Sequence, residues 1–174
     1  MIHPNPNAVN QLHVGRPNIG DKQVLMRRFE EMLERRWFSN SGPFVQEFEG
    51  VLANLLGVKH VMAMCNATVA LEIAARALDL SGEVIMPSYT FIATAHSMQW
   101  QGITPVFCDI DPETHHLDPA KIEALITPKT SAIVGVHTWG RSCDTNAIEA
   151  VAAKHNIKVL YDACLLYTSP SPRD

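Results

Sequence analysis

Charge is scarce in this sequence: Asp, Glu, Lys and Arg make up 18% of 174 residues, and the formal net charge is -4. Without a basic excess, nucleic acid is not expected as the main partner. No apolar run approaches the roughly 20 residues of a membrane-spanning helix, so no membrane partner is expected. The opening MIHPNPNAVN has neither the cationic region nor the apolar core of a signal peptide. The four cysteines (Cys65, Cys108, Cys143, Cys164) form no CxxC and no ladder of spacings. Reduced thiols and a cytoplasmic location are therefore expected. His115 and His116 are adjacent and would point apart, which makes them a poor metal pair and predicts a solvated loop. No metal site is expected. Nor does any GxGxxG follow the first apolar run, and no GxxxxGK[ST] occurs, so the dinucleotide-binding and P-loop readings lack their fingerprints.

What is present is a hydrophobic content of 47%, enough for one domain with a real core. The first twenty residues, rich in Pro and Asn, read as an extended arm. Asp21 can cap a helix with Leu25, Phe29, Met32 and Leu33 on one face. A second helix is predicted from near Pro43, with Val45, Phe48, Leu52, Leu55 and Leu56 on one stripe and Gly57 as its stop. Beyond it, short apolar runs alternate with helical patterns. The runs are His60–Cys65, Glu83–Met86, Thr104–Cys108, Ser131–Val136 and Ile157–Tyr161; helices are expected over Ala67–Leu78, over Phe91–Gln101, after Asp118 and Pro119, and after Asp144 or Thr145. Strands buried on both faces and separated by single helices predict an α/β fold, with a mainly parallel sheet and helices on both faces.

Ligands of such sheets bind beyond the carboxyl ends of the strands, and three strand ends carry suggestive residues. After the first run, Asn66 can cap a helix whose first turn holds Ala67 and Thr68. That turn reads either as a plain cap or as an anion site made of free amides and a hydroxyl. After the second run, PSYTF places Tyr89 and Phe91 near the sheet edge, with Pro87 ending the strand and Thr90 able to cap the next helix. The two rings read either as core or as cofactor contacts. After the last run comes Asp162. It is either a helix cap or a carboxylate waiting for a cation, such as a protonated ring nitrogen on a ligand.

Taken in order, SGPFVQEFEGVLANLLGVKH, CNATVALEIAARAL, PSYTFIATA, TPVFCDIDPETHHLDPAKIEALITPKTSAIVGVHTWG and KVLYDA resemble the DegT/DnrJ/EryC1/StrS family of pyridoxal-phosphate (PLP) sugar aminotransferases. The resemblance runs from about Arg16 to Ala163. It implies a truncated, aspartate-aminotransferase-like (fold type I) large domain over 21–163. It also implies a nucleotide-sugar substrate, an amino-acid donor such as glutamate, and a homodimer when full length. By resemblance Ala67, where the family usually has Gly, and Thr68 hold the cofactor phosphate; Phe91 stacks on the pyridine ring; Asp162 pairs with the ring nitrogen.

The family's cofactor-bearing lysine has no match among Lys22, Lys59, Lys121, Lys129, Lys154 and Lys158. No catalytic residue is therefore assigned, and the chain alone is expected to be inactive. Two further readings stay open: a dehydratase relative with His in place of that lysine, and a truncated protein that binds without catalysis. CLLYTSPSPRD, residues 164–174, resembles a translated sequencing adapter, and the authentic sequence is expected to end at Ala163.

Overall fold

The structure is a computed structural model that describes residues 19–166. The expected arm over 1–20 and the expected tail over 164–174 thus lie largely outside the described residues. Two helices come first, α1 (Lys22–Arg35) and α2 (Pro43–Leu56). Asp21 caps α1 by accepting the Val24 amide at 2.9 Å, and α2 stops at Gly57 in the left-handed region, φ 64. They meet through an Arg28–Glu47 ion pair and the Arg28 guanidinium over the Phe44 ring at 5.2 Å. Neither helix buries a residue.

The rest forms a four-stranded parallel sheet in the order β2-β1-β3-β4, with β1 Glu83–Pro87, β2 Thr104–Cys108, β3 Thr130–Val136 and β4 Lys158–Asp162. The alternation of a strand assigns its residues to two cores. Val84 and Met86 of β1, with Ala132, Val134 and Val136 of β3, pack with Ala75 of α3 (Ala67–Ala77) and with Ala95 and Met98 of α4 (Ile92–Gln99). Ile85 and Ile133 face the other way, against Ile122 of α5 (Pro119–Ile122) and Ile148 and Ala152 of α6 (Thr145–His155). Helices therefore cover both faces, as the sequence predicts. Each fully buried Ile, Val or Met in these cores contributes about 1.5–3 kcal/mol relative to exposure.

One expected strand does not form. His60–Cys65 takes no regular secondary structure and pairs with no strand among the described residues. Apolar content predicts burial, whereas a strand needs an adjacent strand to bond, and Met62 here is largely exposed.

The connections position the site. From β1 the chain crosses by α4 on one face to β2; from β3 it crosses by α6 on the opposite face to β4. The two crossovers diverge between β1 and β3. Their carboxyl ends thus border the crevice where open parallel sheets bind ligands.

Candidate active site

A cavity of about 490 Å³ lies at that crevice, a size ordinary for a small-molecule site. Its wall combines the start of α3 (Ala67, Thr68), the segment after β1 (Tyr89, Thr90, Phe91), the segment after β3 (His137, Thr138, Trp139) and Asp162 at the end of β4. All four sequence-predicted site residues, Ala67, Thr68, Phe91 and Asp162, line it together.

The α3 terminus is built by Asn66: its backbone is extended, its side-chain oxygen accepts the Val69 amide at 2.9 Å, and its carbonyl accepts the Ala70 amide at 3.1 Å. The amides of Ala67 and Thr68 then have no acceptor among the described residues, as expected of a first helical turn. Phe91 stands at the entry to α4 and is 76% exposed, so it is not a core ring. Tyr89, 44% exposed, lies at the rim beside Trp139 and His115, with ring centroids 6.1 Å and 6.0 Å away. The expected cap by Thr90 does not form. Phe91 is the N-cap of α4 without a side-chain bond, and Thr90 Oγ1 lies 2.8 Å from Thr94 Oγ1 instead.

Asp162 is 7% exposed. Its Oδ2 accepts from Thr94 Oγ1 at 2.8 Å, and its Oδ1 accepts the Cys164 amide at 3.1 Å. No ion pair among the described residues includes it. A carboxylate oxygen can accept about two hydrogen bonds, so each keeps capacity beyond these donors.

Sequence reasoning missed the segment after β3. His137 is buried, its Nδ1 accepts the Cys143 amide at 3.1 Å, and its own amide donates to the Asp162 carbonyl at 3.0 Å. That acceptor role leaves the ring proton on Nε2. Burial lowers the His137 pKa from its ordinary value; the charge of His116 acts the same way and Asp162 opposes both. Thr138 Oγ1 is buried without a partner among the described residues. His116 is not solvated, as expected, but buried, with Nε2 donating to the Thr138 carbonyl at 3.3 Å. The loop that carries it folds back on the end of β3. His115 is exposed, and its Nδ1 accepts Trp139 Nε1–H at 3.2 Å.

The donor set suits PLP: amides and a hydroxyl for a phosphate, an aromatic ring for a planar heterocycle, and a buried acid without a cation for a protonated nitrogen. A parallel sheet with such a site at its switch point defines part of the large domain of a fold type I PLP aminotransferase. Residues 20–166 match the DegT/DnrJ/EryC1/StrS aminotransferase family, and the chain belongs to it. It is 43% identical over 150 residues to a dTDP-4-amino-4,6-dideoxy-D-glucose transaminase of Escherichia coli, covering 86% of this chain and 40% of that protein. Among solved structures it resembles DesI, determined in the presence of its TDP-sugar product, with 51% identity and a TM-score of 0.83 over 91% of this chain and 41% of the other. NtdA of Bacillus subtilis, solved with bound cofactor PMP, gives 38% identity and a TM-score of 0.78 over 82% and 33%. The chain thus spans about two fifths of the length of such relatives.

Proposed function

We propose that the protein carrying this chain is a PLP aminotransferase that moves an amino group from an amino acid, glutamate in our reading, to a keto-deoxysugar linked to a nucleotide, and that it works as a homodimer. The observation that carries the proposal is Asp162, a buried carboxylate facing the switch-point cavity with no ion-pair partner among the described residues. Such a group is costly unless it meets a cation or enough donors, and a protonated pyridine nitrogen would supply the cation. When bound, the cofactor provides an electron sink for the carbon that exchanges its amino group.

This chain's own residues would bind and orient. The amides of Ala67 and Thr68, with the Thr68 hydroxyl, would take the phosphate, aided by the α3 dipole. Phe91 would cover one ring face and exclude water from it. Asp162 would hold the proton on the ring nitrogen. The nucleotide sugar is supported by the likeness to the E. coli dTDP-sugar transaminase and to DesI in the presence of its TDP-sugar product. No lysine lines the cavity among the described residues, so by itself the chain would bind the cofactor without turnover.

The test is Asp162→Ala in the full-length protein, assayed for transfer from glutamate to dTDP-linked 4-keto-6-deoxyglucose. Loss of transfer in a folded protein of unchanged oligomeric state is expected. Near-normal turnover would remove Asp162 from the site. A wild-type protein that binds no PLP would sink the whole reading.

A further inference from the structure

Thr94 is fully buried inside α4, and its hydroxyl behaves unusually for a helical threonine. Such a hydroxyl ordinarily bonds back to the carbonyl one turn earlier. Here it instead reaches Asp162 Oδ2, 2.8 Å away on a strand 68 residues further along the chain. The same Thr94 oxygen lies 2.8 Å from Thr90 Oγ1, and Thr90 lines the cavity.

Chemistry fixes the direction of this row. An ionised carboxylate offers only acceptors, so the single Thr94 proton must go to Asp162. The Thr94 oxygen is then free to accept the proton of Thr90. Each link polarises the next and strengthens it. With the Cys164 amide on Oδ1, the acid is held at both oxygens, and its plane is set rather than free to turn.

We propose that Thr94 is a positioning residue: by a directed row from Thr90 through Thr94 to Asp162, it aims the carboxylate at the cationic ring nitrogen of the bound cofactor. The inference rests on the assignment of Asp162 as the ring-nitrogen partner. A merely structural Thr94 would support the packing of α4 on the sheet, and its loss would act regardless of what stands at position 162. A positioning Thr94 acts only through the acid.

The distinguishing measurement is a double-mutant cycle in the full-length protein, read as affinity for pyridoxamine 5'-phosphate by equilibrium dialysis. That probe binds without a covalent link, so affinity is reported apart from turnover. Thr94→Val is expected to weaken binding about tenfold, the scale of one lost hydrogen bond to a charged group. Thr94→Ser, which restores the donor, should return affinity to within about twofold. In an Asp162→Asn background, Thr94→Val should change affinity by less than about twofold, because the two positions are coupled. An equal loss in both backgrounds, or wild-type affinity in Thr94→Val, overturns the inference while the cofactor assignment stands. If Asp162→Asn alone binds the probe like wild type, the assignment itself falls, and this inference with it. Should Thr94→Val fail to fold, Thr94→Cys, which keeps the volume and only a weak donor, takes its place in the same cycle with the same expectations.

Discussion

The imidazole of His137 lies on the phenol ring of Tyr161, with centroids 5.3 Å apart and planes 13° from parallel. The pair bridges the ends of β3 and β4, next to the strand end that bears Asp162. The His137 amide also donates to the Asp162 carbonyl at 3.0 Å, so ring and backbone act on the same junction.

This burial makes His137 a source of acid sensitivity. Its pKa is lowered in the folded protein, chiefly by burial. The unfolded chain, with an imidazole near about 6.5, therefore binds the proton more readily. The His137 contribution is fully present above that value and is lost as the pH falls through the folded one. Denaturant unfolding of the full-length protein at pH 7.5 and pH 5.5 should show an acid loss that shrinks in His137→Asn. An identical pH dependence in both proteins would clear His137 of this role.

Gly135 sits under the Tyr161 ring. A Cβ there would lie 2.8 Å from Tyr161 Cδ1 and Cε1 and 3.1 Å from Cys143 Sγ. Gly135→Ala is expected to cost about 1–3 kcal/mol by overpacking, measurable as a lower denaturation midpoint. A midpoint equal to wild type would mean that the ring yields without strain.

Asn66 caps the helix that offers its amides to the cavity, by one bond of 2.9 Å to the Val69 amide. Asn66→Ala should lower stability by about 0.5–2 kcal/mol, and Asn66→Ser should recover most of it. Thermal denaturation of the three proteins checks the order; equal melting temperatures would show that the cap contributes nothing.

The cysteines should divide by reactivity. Burial pushes the thiols of Cys108 and Cys143 up to about 11, so both stay protonated at pH 8. Cys65 is exposed. Iodoacetamide at pH 8 should modify Cys65 first, with Cys108 and Cys143 following only after unfolding, as read by peptide mass spectrometry. Labelling of Cys143 at the rate of Cys65 would contradict the packing.

The sheet was legible because its central strands β1 and β3 are buried on both faces. Val84, Ile85 and Met86 form one unbroken apolar run whose members serve opposite cores. The same signal misleads at His60–Cys65, because apolarity registers a tendency to burial while pairing depends on which strand lies alongside. Ala67, Thr68, Phe91 and Asp162 were legible because each stands at a helix start or a strand end, where a parallel sheet gathers its ligand contacts. His137 and Thr138 follow β3 as directly as Asp162 ends β4; the same strand-end rule, applied to SAIVGV, would have found them. Thr94 had no such signal. Inside IATAHSMQ it looks like helical filler, and its partner is set by a crossover that no local window contains.

The strand order also sets a schedule for synthesis. A ribosome adds about 5–20 residues per second, so the helix start at Ala67 is made about 5–20 seconds before Asp162. Once β3 is made, it stays an open edge of the nascent sheet until β4 arrives, and the proposed phosphate cradle then stands without the acid proposed to face it. A cofactor molecule reaching the growing chain would find one end of its seat built and the other still inside the ribosome. If these residues hold the cofactor as proposed, stable loading waits for the fourth strand to seat beside the third.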